Sequence, residues 1–500
     1  MKYRKHAAAI VTMLSVIASV RIHAEEPINV GSDKQLFLDE LFFATSKDIT
    51  LKIQAPRKTG EAILRREHPW ESATLNWFNV VQDQGRIDRS AKYRMWYEAY
   101  DVDGWPTADD TSFCYAESRN GIHWTKPELG LFAYKGSKRN NILFRQTGTQ
   151  NQGNHSRVHG TGVFIDANGP PDRRYKAVGQ GIFGQREKPP HRIAGMYSAD
   201  GLKWTRLSQP ICDVFADSQY SGFWDPSREQ YVLYGRVGGR GRALGRSESD
   251  NFSRFDPLKL IMEADDEDPP HSDLYNSAVM KYPHAPNVYL MFPSLYQHDP
   301  DTLDIRLAVS RDGIRWSRPD RQTPFIALGK RNDFDTGSLY MGQGMIRVED
   351  ELWLYYSASP LRHKGAELET LTKPQNARTY RRVVTQLDRF VAAVPGADGG
   401  FFVTPPLRFA GNTLKLNVNL RDGGSVRIGL LDKDGHPLPG RSVDDCLPII
   451  GDSLSLPVEW TSGSDVSARA NKPSRIRVEA TRAELFGFQF VDSNSNSRDP

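Results

Sequence analysis

A seven-residue pattern occurs three times in this chain of 500 residues: Ser, any residue, Asp or Asn, Gly, an aliphatic residue, any residue, Trp. The copies lie at residues 118–124, 198–204 and 310–316, and strand-like residues precede each of them. Asp-Gly and Asn-Gly pairs supply the positive φ angles that a tight hairpin requires. Hairpins that recur at intervals of several tens of residues are typical of a β-propeller, in which each repeat forms one blade. We therefore expect a propeller, and we call this pattern the turn motif.

The turn motif itself is expected to be structural. Because it recurs in several blades, it cannot mark a single active site. We expect each copy to close a hairpin and its tryptophan to be buried within its own sheet. These tryptophans are Trp124, Trp204 and Trp316.

Short apolar runs between residues 76 and 390 alternate with Gly, Pro, Asn and Asp, and no long segment has helical spacing. The runs group into five blades, and degenerate copies of the turn motif lie at residues 249–252 and 387–390. The N-terminal segments 37–43 and 49–55 are expected to pair with the last blade and so close the ring.

The sequence changes character after the Pro/Gly/Asp-rich residues 394–400. The turn motif does not recur there, and short alternating strands follow. This pattern favours a separate β-sandwich of about a hundred residues. The predicted fold class is therefore all-β, with a five-bladed β-propeller at residues 30–392 followed by a C-terminal β-sandwich at residues 398–494.

Residues 1–24 have the three parts of a secretory signal peptide, namely a basic start, an apolar run and a small-residue end. The apolar run has about 14 residues, which is shorter than the roughly 20 needed to span a bilayer. We therefore expect a secreted or periplasmic protein without a membrane span.

Composition excludes several classes of function. The net charge is +4 and basic residues are spread along the chain, so no nucleic-acid partner is expected. Cys114, Cys212 and Cys446 are too few and too scattered for a disulfide framework or a zinc site. No metal or other cofactor is expected, nothing indicates an axial calcium, and nothing specifies an oligomeric state.

Candidate catalytic acids precede the innermost strand in four of the five predicted blades, and the second blade has histidines and an arginine there. These positions surround one mouth of a propeller's channel. The candidate acids are Glu71, Asp217, Asp273 and Asp335. The candidate substrate-binding residues near them are His68, Trp70, Arg157, His159, His271 and His363. Clustered acids raise the pKa of at least one member, and a glycoside hydrolase needs one protonated and one ionised carboxyl group. An Asp beside a strand is also a common turn residue, so the prediction depends on the group as a whole.

The chain resembles a known superfamily in the turn motifs and in the segments 93–97, 217–225 and 307–316. These are similar to secreted bacterial glycosyl hydrolases of the five-bladed propeller superfamily, which includes glycoside hydrolase families 32 and 43. The resemblance implies three axial acids from the first three blades, acting as nucleophile or base, pKa modulator and general acid. By position, Glu71 or Glu67 would take the first role and Asp217 the third.

The chain departs from that superfamily in several places. The third-blade acid, implied to be a glutamate, is Asp217, with Glu248 a possible substitute farther along, and Asp273 and Asp335 in the later blades are extra. The fructosidase pattern W-M-N-D-P-N-G is absent, and His68-Pro69-Trp70-Glu71 stands in its place. The second blade offers Arg157 and His159 where an aspartate is implied.

The leading hypothesis is a secreted glycoside hydrolase that cleaves a poly- or oligosaccharide with axial carboxylates as general acid and base or nucleophile. One alternative is a glycoside phosphorylase, or a hydrolase of anionic sugars, because histidines and Arg157 could form a positive rim. The other alternative is a non-catalytic carbohydrate-binding propeller. A carbohydrate is the expected ligand in each case.

Overall fold

The computed structural model describes most of the chain after the predicted signal peptide. The described residues are 26–83, 92–104, 111–146, 158–183, 191–364 and 368–493. Residues 1–24 and the candidate Arg157 lie outside them. The regular secondary structure of the described chain is almost all β-strand, and no helix in it is long and apolar enough to cross a membrane.

The chain begins with short strands joined by a 3-10 helix at Glu40–Phe42. The strands are β1 (Ile28–Gly31), β2 (Gln35–Leu36), β3 (Thr45–Lys47), β4 (Ile49–Ile53) and β5 (Arg57–Leu64).

Blades 1 to 3 follow, each an antiparallel sheet whose first strand is innermost. Blade 1 contains β6 (Thr74–Gln82), β7 (Tyr93–Tyr100), β8 (Thr111–Ser118) and β9 (Ile142–Gln146). Blade 2 contains β10 (Gly162–Ile165), β11 (Tyr175–Ile182), β12 (His191–Ser198), β13 (Thr205–Arg206) and β14 (Cys212–Phe215). Blade 3 contains β15 (Ser221–Asp225), β16 (Gln230–Gly238), β17 (Arg242–Ser249) and β18 (Lys259–Met262). The 3-10 helices Pro69–Glu71 and Pro171–Arg173 precede β6 and β11.

Blade 4 is interrupted, because each of its three main strands is broken in the middle. Its strands are β19 (Ser272–Leu274), β20 (Val279–Lys281), β21 (Tyr289–Met291), β22 (Ser294–Gln297), β23 (Thr302–Ile305) and β24 (Ala308–Ser310). Blade 5 contains β25 (Ser338–Val348), β26 (Glu351–Ser359) and β27 (Thr379–Gln386). The helix α1 (Leu368–Thr372) and a 3-10 helix at Pro374–Asn376 lie between its last two strands.

The inner strands form a closed ring. Strand β25 pairs in parallel with β6 through Gln343 and Asn79, and contacts continue from β6 to β10, β15, β20 and back to β25. The outermost strand of blade 5 is the N-terminal β5, which pairs with β27. The predicted five-bladed propeller is confirmed, but the expected closing segments 37–43 and 49–55 are wrong, because residues 57–64 close the ring.

The C-terminal sheet contains the remaining strands. These are β28 (Val391–Pro395), β29 (Gly400–Val403), β30 (Leu407–Phe409), β31 (Thr413–Asp432), β32 (Asp452–Pro457) and β33 (Ser474–Val491), with a 3-10 helix at Ser467–Arg469. The long strands β31 and β33 pair along their whole length around an apolar core that includes Leu414, Ile428 and Phe488. This is the predicted C-terminal β-sandwich.

The N-terminal strands belong to this C-terminal sheet. Strand β1 pairs with β30, β2 with β33, β3 with β29 and β4 with β28. The last propeller strand ends at Gln386 and the C-terminal sheet resumes at Val391. The predicted domain boundaries at residues 392 and 398 stay a prediction.

The turn motif has the same geometry in all three copies. The Ser hydroxyl accepts a hydrogen bond from the Gly N–H. The Asp or Asn side-chain oxygen accepts hydrogen bonds from the N–H groups of the two residues that follow the glycine. The glycine φ angles are 74°, 73° and 71°, a region that favours glycine. The motif therefore closes a hairpin, as expected.

Each turn motif also attaches to the preceding blade. Its glycine carbonyl accepts a hydrogen bond from an aromatic side chain there, and its tryptophan lies edge-on to the same ring. The donor and acceptor pairs are Tyr355 with Gly121, Trp96 with Gly201, and Tyr234 with Gly313. The tryptophans pack between blades and not within one sheet, with ring centroids 6.1–6.4 Å apart. Trp204 is buried as expected, whereas Trp124 and Trp316 are half-buried.

Candidate active site at the axial mouth

One mouth of the axial channel combines charged and aromatic side chains from several blades. His159 precedes the inner strand β10, and Asp217 precedes the inner strand β15. The second strand of each blade runs antiparallel to the first, so its end reaches the same mouth. Strand β7 places Glu98 there, and β16 places Arg236 there.

Asp217 lies at this mouth with 40% of its side chain exposed. Arg236 Nη1 donates to its Oδ2, and His159 Nε2 lies 3.6 Å from its Oδ1. Partial burial alone raises the pKa of Asp217, but His159 and the charge of Arg236 outweigh burial and hold the pKa well below its usual range. Asp217 is therefore an ionised carboxylate that solvent or a ligand can reach.

His159 lies between two carboxylates. Its Nδ1 lies 3.4 Å from Glu98 Oε2 and 3.1 Å from the Tyr100 hydroxyl, while its Nε2 faces Asp217. Glu98 is buried and accepts hydrogen bonds from the Tyr100 hydroxyl and the Thr161 N–H. Glu98 thus fixes the imidazole from the side opposite Asp217.

Sequence reasoning missed Glu98. It lies in the run YRMWYEAY, which reads as an apolar core strand. The signal in the sequence was a single acidic residue within a strand that is otherwise buried. A buried carboxylate requires a specific partner, so its presence there indicates a defined contact.

Aromatic rings form one wall of the mouth. Trp77 is nearly parallel to Tyr275 at 6.4 Å and edge-on to Tyr340 at 4.9 Å. A bulge in β6 between Leu75 and Phe78 brings Trp77 into this position. The Trp77 indole N–H is buried and has no acceptor among the described residues. A buried unsatisfied donor at a mouth is suited to a ligand oxygen.

Asp273 lies on the blade 4 side of the mouth and is 3% exposed. Its Oδ2 lies 3.2 Å from Arg242 Nη1 and 3.0 Å from His298 Nε2, while the buried Oδ1 has no partner among the described residues. Asp217 and Asp273 line the same cleft of about 970 Å³. The volume is at the upper end of the range for small-molecule sites, roughly 300–1,000 Å³.

The predicted catalytic residue Glu71 does not reach the mouth. Its side chain is fully buried, where Oε1 accepts from the Tyr97 hydroxyl and Oε2 pairs with Lys126. Oε2 also accepts from the N–H groups of Glu67 and His68, which caps the 3-10 helix. The expectation that Glu71 faces solvent is wrong, because these four donors hold it inside blade 1.

Asp335 also fails to reach the mouth. It is 1% exposed and pairs with Lys58 Nζ at 2.6 Å, on the closing strand β5. The pair joins the segment before β25 to the outermost strand of blade 5. Asp335 therefore helps to close the propeller ring through its ion pair with Lys58.

The predicted binding residues divide into two groups. Trp70 is buried, its indole N–H donates to Asn141 Oδ1, and His68 stacks on it at 4.5 Å beside a different groove. His363 joins the mouth, with its Nδ1 3.0 Å from the Tyr340 hydroxyl. His271 lies on the cleft rim, 76% exposed and paired with Asp299.

His363 is held neutral. Burial, together with the charges of Arg242, Arg378 and Arg236, lowers the pKa of His363 to about 4. At neutral pH this imidazole is a hydrogen-bonding group without charge. No group of three or more His, Cys, Asp or Glu side chains in the described ranges could hold a metal ion.

Comparisons with known proteins found similar solved structures. No protein-family model and no curated protein sequence matches the chain. A glycosyl hydrolase from Bacteroides ovatus is 14% identical with a TM-score of 0.46, over 69% of this chain and 97% of the other. The GH32 β-fructofuranosidase of Bombyx mori is 9% identical with a TM-score of 0.42, over 86% and 94%. An N-acetylgalactosamine deacetylase from F. plautii, in complex with blood group B trisaccharide, is 15% identical with a TM-score of 0.43, over 68% and 96%.

Proposed function

We propose that the chain is a glycoside hydrolase that cleaves a poly- or oligosaccharide at the axial mouth, with Asp217 as its ionised carboxylate. The observation that carries this proposal is the environment of Asp217, which is partly open to solvent while His159 and Arg236 favour its charge. Such a carboxylate can attack an anomeric carbon or take a proton from water.

The second group that glycoside cleavage needs is a proton donor. The resemblance assigns the third-blade acid to that role, but a lowered pKa leaves Asp217 without a proton at neutral pH. We therefore assign proton donation to His159, whose Nε2 faces Asp217 and whose Nδ1 is fixed by Glu98 and Tyr100. A positioned general acid contributes typically about 10²–10⁴-fold in rate.

The surrounding groups fit a carbohydrate. The faces and edges of Trp77, Tyr275 and Tyr340 offer apolar surface to the C–H groups of a sugar ring. Among the described residues the buried Trp77 N–H and Asp273 Oδ1 have no partner, which leaves one donor and one acceptor beside the mouth.

The test is an activity screen of the mature chain on aryl glycosides, oligosaccharides and polysaccharides, with and without inorganic phosphate. A hydrolase releases reducing ends at the same rate in both conditions. Dependence on phosphate with a sugar phosphate as product would identify a phosphorylase. Retention on a polysaccharide gel without cleavage of any glycan would contradict the proposal and favour a binding propeller.

Export is part of the same proposal. Residues 1–24 have the pattern of a cleavable signal peptide. N-terminal sequencing of protein recovered outside the cytoplasm should then begin at Glu25. An intact Met1 on that protein would contradict cleavage.

A further inference from the structure

The Arg378 guanidinium at the mouth has only neutral acceptors among the described residues. It precedes β27 and donates from Nη1 to Ser357 Oγ at 3.1 Å and from Nη2 to Ser338 Oγ at 2.9 Å. Within the described ranges no carboxylate lies within ion-pair distance of it. Moving a charged group out of water without a counter-ion is costly, and partial burial lowers the pKa of Arg378. The position therefore favours an anion.

Arg378 borders the aromatic wall of the candidate active site. Its guanidinium lies 4.9 Å from the centroid of the Tyr340 ring. The Tyr340 hydroxyl lies 3.0 Å from His363, whose ring lies 4.7 Å from Tyr275. The guanidiniums of Arg236 and Arg242 lie 4.3 and 5.1 Å from the Tyr275 ring. Three positive groups thus surround two adjacent tyrosines.

Of the three positive groups around these tyrosines, two are paired with carboxylates and Arg378 is not, among the described residues. Arg236 is paired with Asp217, and Arg242 is paired with Asp273. Asp301, the carboxylate nearest to His363, is turned toward the Tyr296 hydroxyl and the Lys364 N–H. Neither these pairs nor the neutral His363 supplies a counter-ion to Arg378.

We propose that the axial mouth binds a negatively charged sugar residue, whose carboxylate or sulfate group pairs with Arg378. This inference rests on the proposed function and adds the class of substrate. The planar guanidinium fork matches two oxygens of such a group, and hydrogen bonds to charged partners are the stronger ones. The ring of the sugar then lies beside Tyr340 and Tyr275, within reach of Asp217.

The test is equilibrium binding measured by titration calorimetry on the full mature chain. The probes are glucuronate, galacturonate and a sulfated monosaccharide, with glucose and galactose as neutral counterparts. The acidic sugars should bind at least about tenfold more tightly than the neutral ones. A preference for the uronates over the sulfated sugar, or the reverse, distinguishes the two sources of charge.

Variants locate the binding site. Arg378→Gln should abolish the preference for acidic sugars, and Arg378→Lys should retain part of it. The matched control is Arg139→Gln, which removes the same charge from an arginine with an 81% exposed side chain outside the mouth and should change nothing. Thermal unfolding of each variant checks that the fold is retained.

Two outcomes would overturn the inference. One is equal affinity for neutral and acidic sugars, and the other is an unchanged preference in a folded Arg378→Gln variant. These outcomes are separable from failure of the proposed function, since binding requires no turnover. Cleavage of neutral glycans that acidic sugars do not inhibit would contradict the inference but not the proposed function. Binding of acidic sugars without cleavage of any glycan would contradict the proposed function but not the inference.

Discussion

Two aspartate–arginine pairs flank Tyr275, and exposure distinguishes them. The Asp217 side chain is 40% exposed, whereas that of Asp273 is 4% exposed. A buried, paired carboxylate can position neighbours or accept a hydrogen bond, but an anomeric carbon or a water molecule must reach the oxygen that reacts. At the residue scale this difference is the reason why we propose Asp217, and not Asp273, as the reacting carboxylate.

His363 should make stability depend on pH. Its pKa is about 4 in the folded chain and about 6.5 when unfolded, so between these values protons bind preferentially to the unfolded state. The free energy of unfolding should therefore fall as pH decreases from about 6.5 to about 4, by at most about 3 kcal/mol from this residue. The groups that face it are Tyr340, Tyr275, Tyr296, Asp301, Arg242, Arg378 and Arg236.

Urea unfolding between pH 4 and 7 checks this expectation. His363→Gln keeps a polar group near Tyr340 but does not titrate, so its stability should decline less on acidification than that of the wild type. Identical pH dependence in the two proteins would rule out this role.

The sequence could place several site residues but not their environment. Asp217 and His159 precede inner strands and Asp273 lies in the first segment of one, and topology alone brings such positions to one mouth. Glu71 precedes an inner strand too, yet its short 3-10 helix turns it toward Tyr97 and Lys126. Such a reversal depends on partners distant in sequence, which no local pattern reveals.

At the element scale, the turn motif joins blades. Each copy closes its own hairpin, and its glycine carbonyl and tryptophan contact the preceding blade. An added Cβ at Gly201 would lie 2.7 Å from Arg94 and 2.8 Å from Trp96, in a backbone conformation with φ +73°. Glycine is therefore required for both the turn and the contact between blades.

Replacement of the motif tryptophans should have graded effects on stability. Trp204 is 5% exposed, so Trp204→Ala should lower the free energy of unfolding by about 3–5 kcal/mol. Trp124→Ala and Trp316→Ala should cost less than about 3 kcal/mol, because those side chains are half-buried. Denaturant unfolding measures all three, and equal losses would contradict the order.

The elements were predictable to different degrees. The turn motif predicted where the third strand of its blade ends, because the Ser of the motif is the last residue of that strand and the Asp-Gly or Asn-Gly pair forms the turn. The outermost strands were less predictable, because in blade 1 a long segment separates the motif from the fourth strand, β9. An edge strand can pair with any neighbour of suitable alternation, so its partner depends on tertiary context.

At the scale of the whole molecule, the N-terminal segment connects the propeller to the sandwich. Strands β1 to β4 belong to the C-terminal sheet, while β5 closes the propeller. Leu36, Leu38 and Ile53 share one apolar cluster with side chains of blades 4 and 5. Alternation in residues 49–55 predicted a strand correctly but could not choose between the two possible sheets.

We expect this connection to make the chain unfold in one transition. Arg311, in the turn motif of blade 4, donates to Asp39 and to the Leu36 carbonyl of the N-terminal segment. Arg311→Ala should lower stability by about 1–3 kcal/mol. Scanning calorimetry should show a single transition at a lower temperature in the variant. Two well-separated transitions in the wild type would contradict the coupling.

The most direct test of the proposed activity is the rate of glycan cleavage by Asp217→Asn. This change keeps the shape of the side chain, removes its charge and affects a group that holds no core together. The matched control is Asp250→Asn, at an exposed position in a degenerate turn motif. On a glycan that the wild type cleaves, kcat/KM should fall about 10²–10⁴-fold in Asp217→Asn and should stay at the wild-type value in the control. Asp217→Asn should still unfold cooperatively, but at a lower temperature than the wild type, because Arg236 loses its counter-ion. Cleavage at the wild-type rate by a folded Asp217→Asn variant would contradict the assignment of the active site.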